Sequence, residues 1–157
     1  MESSELDATD VKIINRLLAN GRATFSEIGA EVGLSPHGAA DRVRRLERRG
    51  VIQGYAATIT PASVGRRLDA FIDVRLLAQT RPETFERYVG SLPAVQEVAF
   101  VTGRFDYHVR AVCRDADDLD ATVRAIRTDG GAAHTETRIV LRATTFPTRL
   151  EPEEGGD

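Results

Sequence analysis

Tryptophan is absent from the chain, and cysteine, methionine and lysine occur once each, as Cys113, Met1 and Lys12. A single thiol excludes an internal disulfide and any cysteine-rich zinc site. No apolar run approaches the roughly 18 residues needed to span a bilayer. The opening MESSELDATD is acidic and lacks the apolar segment of a secretory leader. These absences predict a cytoplasmic globular protein with no membrane partner. What is present is ordinary for that class: 157 residues, 41% hydrophobic and 29% charged. At about 150 residues per domain the length fits one domain or two small ones, with enough chain to build a core unaided.

The net charge of −3 argues against a general polyanion binder, but the distribution is uneven. Between residues 35 and 49, five arginines (Arg42, Arg44, Arg45, Arg48, Arg49) stand against two acids, Asp41 and Glu47. One short segment is thus locally basic on an acidic chain.

The pattern changes near residue 55. Before it, the apolar spacing is helical. Val11, Ile14, Leu17 and Leu18 share one helix face, with Asp7 as N-cap and Asn20-Gly21 as the stop. Thr24-Phe25-Ser26-Glu27 has the form of a capping box opening a second helix with Ile28 and Val32 inside. Gly33-Leu34 makes a tight turn, and Ser35-Pro36 caps and starts a third helix that runs to about Arg49. Its inner face is Ala39, Val43 and Leu46. Val51–Tyr55 and Ala57–Thr60 read as short extended pieces, followed by a hinge through Gly65-Arg66-Arg67.

Beyond the hinge the segments alternate. Leu68–Leu77, Val95–Val101, Tyr107–Cys113 and Thr135–Arg142 read as strands, while Pro82–Ser91 and Asp117–Arg127 read as helices. The order β-α-β-β-α-β is ferredoxin-like, so the fold class is α+β. The predicted parts are a helix-turn-helix domain over 1–54, a connecting strand and hinge over 55–67, a ferredoxin-like domain over 68–148, and an acidic, disordered tail over 149–157.

Two short helices joined by a tight turn describe a helix-turn-helix, whose second helix can enter a DNA major groove. At about 100° per residue, His37, Asp41, Arg44, Arg45 and Arg48 lie opposite the inner face of the third helix. The N-terminal residues of such a helix meet base edges, which here means Ser35, His37, Gly38, Asp41 and Arg42. Arg44, Arg45 and Arg48, further along, suit phosphates. Asp41 is an acid on a face meant for a polyanion; it either accepts from cytosine N4 or orients Arg45 from i, i+4. The competing reading is that such a face is simply solvated.

Several strings resemble the Lrp/AsnC family, the leucine-responsive and asparagine-operon regulators. They are Leu6-Asp7-x-x-Asp10-x-x-Ile13-Ile14, Glu27-Ile28-Gly29-x-x-Val32-Gly33-Leu34-Ser35-Pro36, and Arg42-Val43-x-x-Leu46-Glu47-x-x-Gly50-Val51-Ile52-x-Gly54-Tyr55. Gly103-Arg104-Phe105-Asp106-Tyr107 and Thr135-Glu136-Thr137 extend the match into the second half. The resemblance implies a winged helix-turn-helix joined to a ligand-sensing ferredoxin-like domain. It implies double-stranded promoter or operator DNA as a partner, a homodimer assembling to an octamer, and an amino-acid effector held by Gly103, Arg104, Asp106, Thr135 and Thr137. The chain departs from the family at Gly29, where alanine is more usual, and at His37-Gly38 with Asp41.

For the loop around Gly103 two readings stand side by side. An acid next to a glycine-bearing turn, with free amides and threonine hydroxyls, can hold an amino acid. Equally, Gly103 permits a tight hairpin and Asp106 caps it. An enzyme is not expected: His37, His108, His134 and Cys113 show no nucleophile–base or metal spacing, and no Gly-rich phosphate loop is present. His108 and Cys113 read as structural, and no cofactor or metal is anticipated. The remaining rival is an effector-independent, architectural DNA-binding protein.

Overall fold

The computed structural model describes residues 6–151, which fall into two compact units. One comprises residues 6–58 together with 144–151, and the other is Ile59–Ala143.

The first unit holds α1 (Ala8–Ala19), α2 (Phe25–Val32) and α3 (Pro36–Arg48). Each begins on a side-chain cap. Asp7 accepts from the Asp10 amide, Thr24 and Glu27 form a reciprocal capping box, and Ser35 accepts from the Gly38 amide. These bonds satisfy amides that the first helical turn leaves unpaired. Ile13, Ile14, Ile28, Ala39, Val43 and Leu46 make the core. α1 ends on Asn20 in an extended conformation, and Gly21 is not left-handed. The left-handed stop expected there occurs instead at Gly33, φ +76°, after α2. Gly29 makes its own contribution to the α2–α3 turn: a Cβ on it would come within 2.5 Å of the Leu34 carbonyl oxygen.

Residues 51–60 form no helix and pair with no strand among the described residues, so the wing implied by the resemblance is not formed as a ladder. The chain returns to this unit at its far end. Leu150 packs against the helical core, and its backbone N–H and carbonyl both bond to the Asn15 side chain, at 2.9 and 2.8 Å. By its contacts 144–151 groups with the helices, where Asn15 and the apolar core hold Leu150. The remainder of the expected disordered tail, 152–157, lies outside the described residues.

The second unit opens with a 3-10 turn, Pro61–Val64, closed by Gly65 at φ +79°. The expected hinge is thus a pinned turn, with the Arg67 amide bonded to the Cys113 carbonyl. Then follow β1 (Leu68–Leu76), α4 (Pro82–Gly90), β2 (Val95–Phe100), β3 (Tyr107–Cys113), α5 (Ala116–Thr128) and β4 (Ala132–Ile139). The strands form one antiparallel sheet in the order β2-β3-β1-β4, the predicted α+β, ferredoxin-like arrangement. Ala70, Ile72 and Val74 of β1 and Tyr107, Val109 and Ala111 of β3 pack against Phe85 and Val89 of α4 and Leu119 and Ile126 of α5. Cys113 is buried in the same core. β4 starts three residues before, and ends three residues before, the segment expected from alternation. A register shift between Arg75 and Leu76 accommodates its start.

The other sheet face carries charge instead of helices. Asp69 pairs with Arg110, and Asp73 pairs with both His108 and Arg138. His108 also stacks on Phe71 at 4.7 Å, which gives it a structural role.

Candidate nucleic-acid interface and sensing site

The basic face of α3 divides into two groups. Asp10 of α1 is buried, its side chain 2% exposed, and it accepts from Arg42 Nη1 at 2.9 Å and from Arg45 Nη2 at 2.8 Å. Arg42 also bonds Asp7, and that guanidinium holds the Asp7 carboxyl below its usual range. Arg42 and Arg45 therefore lock α3 to α1, supplying the partners that a buried carboxylate needs. Of the two expected roles for Asp41, orienting Arg45 is overturned, since Arg45 turns to Asp10. Asp41 instead lies between His37 Nε2 at 3.3 Å and Arg44 Nη1 at 3.4 Å.

The solvent-facing group is then His37, Asp41, Arg44 and Arg48. The His37 side chain is 85% exposed, and Arg48 is exposed with no ion pair among the described residues. Ser35 is occupied as the N-cap, and Gly38, whose amide it holds, is half-buried. A short helix that presents a cation, an acid and an imidazole at its N-terminal half, with a free arginine behind, has the donor and acceptor types that read base edges and phosphates.

In the sheet unit, Gly103 adopts φ +120° and exposes its backbone. Arg104 lies over the Phe105 ring at 4.7 Å and pairs with Glu136. Asp106 is turned inward: one carboxylate oxygen accepts from the Leu76 amide at 2.8 Å. That bond ties the loop to the end of β1 and is not a cap on the Gly103 hairpin itself. A cavity of about 320 Å³ opens here, lined by Arg75, Arg104, Phe105 and His134.

The expected effector residues do not all converge. Residues opposite one another on antiparallel strands share a face. Thr135 stands opposite Val74 and Thr137 opposite Ile72, so both threonines lie on the helix-covered side. His134 and Glu136 stand opposite Arg75 and Asp73, on the open side with Arg104. Of the expected set only Arg104 lines the cavity, with Gly103 next to it in the chain, whereas Thr135 and Thr137 face away from it. Sequence reasoning missed Arg75, Phe105, His134 and Glu136. The alternation of β4 separates the threonines from His134 and Glu136, but the register against β1 is needed to bring Arg75 among them.

Two family models match the chain: the AsnC-type helix-turn-helix domain over residues 6–47 and the Lrp/AsnC ligand binding domain over 69–150. The HTH-type transcriptional regulator LrpA of Mycobacterium tuberculosis is 36% identical over 141 residues, covering 90% of this chain and 92% of that protein. The leucine-responsive regulatory protein of Escherichia coli is 41% identical over 106 residues, covering 66% and 64%. Among solved structures, a transcriptional regulator from Neisseria meningitidis in complex with L-Met has a TM-score of 0.86 at 33% identity, over 93% of this chain and 96% of that one. A feast or famine regulatory protein from M. tuberculosis complexed with L-methionine has a TM-score of 0.84 at 34% identity, over 94% and 99%. These relatives are transcription regulators, not enzymes. With both halves matched and relatives aligned along nearly the whole length, the chain belongs to the Lrp/AsnC family of transcription regulators.

Proposed function

We propose that the protein is a sequence-specific, cytoplasmic DNA-binding regulator whose DNA binding or assembly responds to a small molecule, an amino acid. His37, Asp41, Arg44 and Arg48 meet the DNA, and Arg42 and Arg45 hold the helix that presents them. The observation that carries the sensing half is the cavity beside Gly103. Arg75 and Arg104 can take an α-carboxylate, Glu136 can take an α-ammonium group, and Phe105 with His134 offers a flat wall to a side chain. The L-methionine complexes of the two relatives support an amino acid as the class of effector.

A homodimer fits the same unit. The open sheet face bears Phe71 among alternating acids and bases, which a second copy could complement. A closed dimer would set two recognition helices on half-sites one helical turn apart.

One observation favours an effector-independent, architectural protein: Arg104 and Glu136 already satisfy each other, and Asp106 is committed to the backbone. The discriminating experiment is a gel-shift titration on the DNA upstream of the protein's own gene, at two salt concentrations, with each amino acid added in turn. A specific shift altered by one amino acid supports the sensing regulator. A specific shift that ignores all of them removes the amino-acid effector. Binding without sequence preference supports the architectural reading.

A further inference from the structure

The sheet unit contains a second depression, away from the Gly103 loop and larger, at about 450 Å³. Leu92 and Pro93, between α4 and β2, and Ala121 and Ala125 of α5 give it an apolar floor. Arg66, Arg114 and Asp118 stand at its rim.

The rim charges are not equivalent. Asp118 accepts from the Arg114 backbone amide at 2.9 Å and from its guanidinium at 3.2 Å, and Arg114 holds the Asp118 carboxyl below its usual range. That pair neutralises itself. Arg66 is different. It is half-buried, its Nη1 donates to the Val112 carbonyl at 2.7 Å, and no carboxylate among the described residues hydrogen-bonds to it, although Asp118 lies close enough for their charges to interact. A guanidinium has five N–H donors, so most of them remain for a guest.

Its position is also fixed in advance. The Arg66 amide bonds the Pro61 carbonyl at 3.0 Å, the Arg67 amide bonds the Cys113 carbonyl at 2.9 Å, and left-handed Gly65 precedes them. Arg66 and Arg114 have the one carboxylate of Asp118 between them, so the depression carries one positive charge in excess, which a ligand carboxylate would balance. A preset position also lowers the ordering cost of binding.

We infer that this depression binds a short aliphatic monocarboxylate, with its carboxylate on Arg66 and its hydrocarbon body on Leu92, Pro93, Ala121 and Ala125. A net excess of one positive charge among Arg66, Arg114 and Asp118 matches one negative charge, and the Asp118 carboxylate disfavours a dianion such as a phosphate monoester. The small floor residues leave room for branched carbon and provide no ring to stack upon.

The test is calorimetric titration of the full chain with isovalerate, and in parallel with butyl phosphate. The expected result is saturable binding of isovalerate at one site per chain, tighter than butyl phosphate. Arg66→Gln should weaken it about tenfold or more, the scale of a lost charge-assisted bond. Ala121→Phe, at an exposed helix position, fills the floor without touching the charge and should weaken it comparably. Arg104→Ala, at the loop cavity, should leave it unchanged. No saturable binding at millimolar concentration overturns the proposal. So does binding that survives both Arg66→Gln and Ala121→Phe, or that is lost in Arg104→Ala instead. Equal or tighter binding of butyl phosphate overturns the carboxylate assignment.

Discussion

At the scale of single residues, the arginines of α3 separate by what lies on the next helix. Arg45 and Arg48 are both exposed residues of one helix, yet Arg45 answers to a buried carboxylate and Arg48 to none. Arg48→Ala should flatten the salt dependence of DNA binding by about one unit, as for one lost phosphate contact, with thermal stability unchanged. Arg45→Ala should instead lower the melting temperature of the helical unit. An unchanged salt slope for Arg48→Ala would remove it from the backbone contact. Asp10→Ala leaves two arginines facing an emptied site and should cost about 3 kcal/mol, the lower end for a buried pair because both guanidiniums keep contact with water. Denaturant unfolding measures this directly. The sequence disclosed the cationic face of α3 but not this division. The spacing within α3 is visible in the string, whereas Asp10 lies 32 and 35 residues away from its partners, and only packing brings it there.

At the scale of elements, the caps were the most legible features. Asp7, Thr24 with Glu27, and Ser35 act within three residues of themselves, so local chemistry suffices to find them. Asp7 carries a pH consequence. Its carboxyl is lowered, first by the hydrogen bond from Arg42 and also by the Asp10 amide. A depressed carboxyl contributes stability that is complete above its unfolded value, about 3.9, and is lost as pH falls through the lower folded value. Helical-unit stability should therefore hold through neutral pH and decline in this acid range. Asp7→Asn should reduce the part of that decline due to this residue, as followed by circular dichroism. Gly29 makes a sharper element-scale test. Its α-carbon approaches a backbone oxygen that cannot swing aside, so Gly29→Ala should destabilise the helix-turn-helix by about 1–3 kcal/mol, read from chemical denaturation; an unchanged midpoint would show that the turn yields freely. The strand assignments were sound in kind, but the effector set took from β4 only Thr135 and Thr137, on the face turned away from the cavity. Alternation states that neighbours diverge, while the pairing register and the shift at Arg75/Leu76 decide what each neighbour meets.

At the scale of the whole chain, the unexpected feature is the return of residues 144–151 to the helices. Nothing in the sequence marks Leu150 as a core residue, since an isolated leucine beside acids and prolines has no periodicity to reveal it. Asn15→Leu removes both side-chain bonds to the Leu150 backbone and should cost about 1–3 kcal/mol, measurable as a lower unfolding midpoint of the full chain. A midpoint equal to that of the parent would show that the anchor is dispensable. The connectivity has a practical consequence. The sheet unit is inserted into the helical one, and the chain crosses between them twice, near 58 and near 144. A fragment cut at the first crossing would contain every residue of α3 proposed to meet DNA and still leave part of its own core behind on the discarded piece. A faithful minimal DNA-binding module would have to splice residue 58 to residue 144 through a short linker.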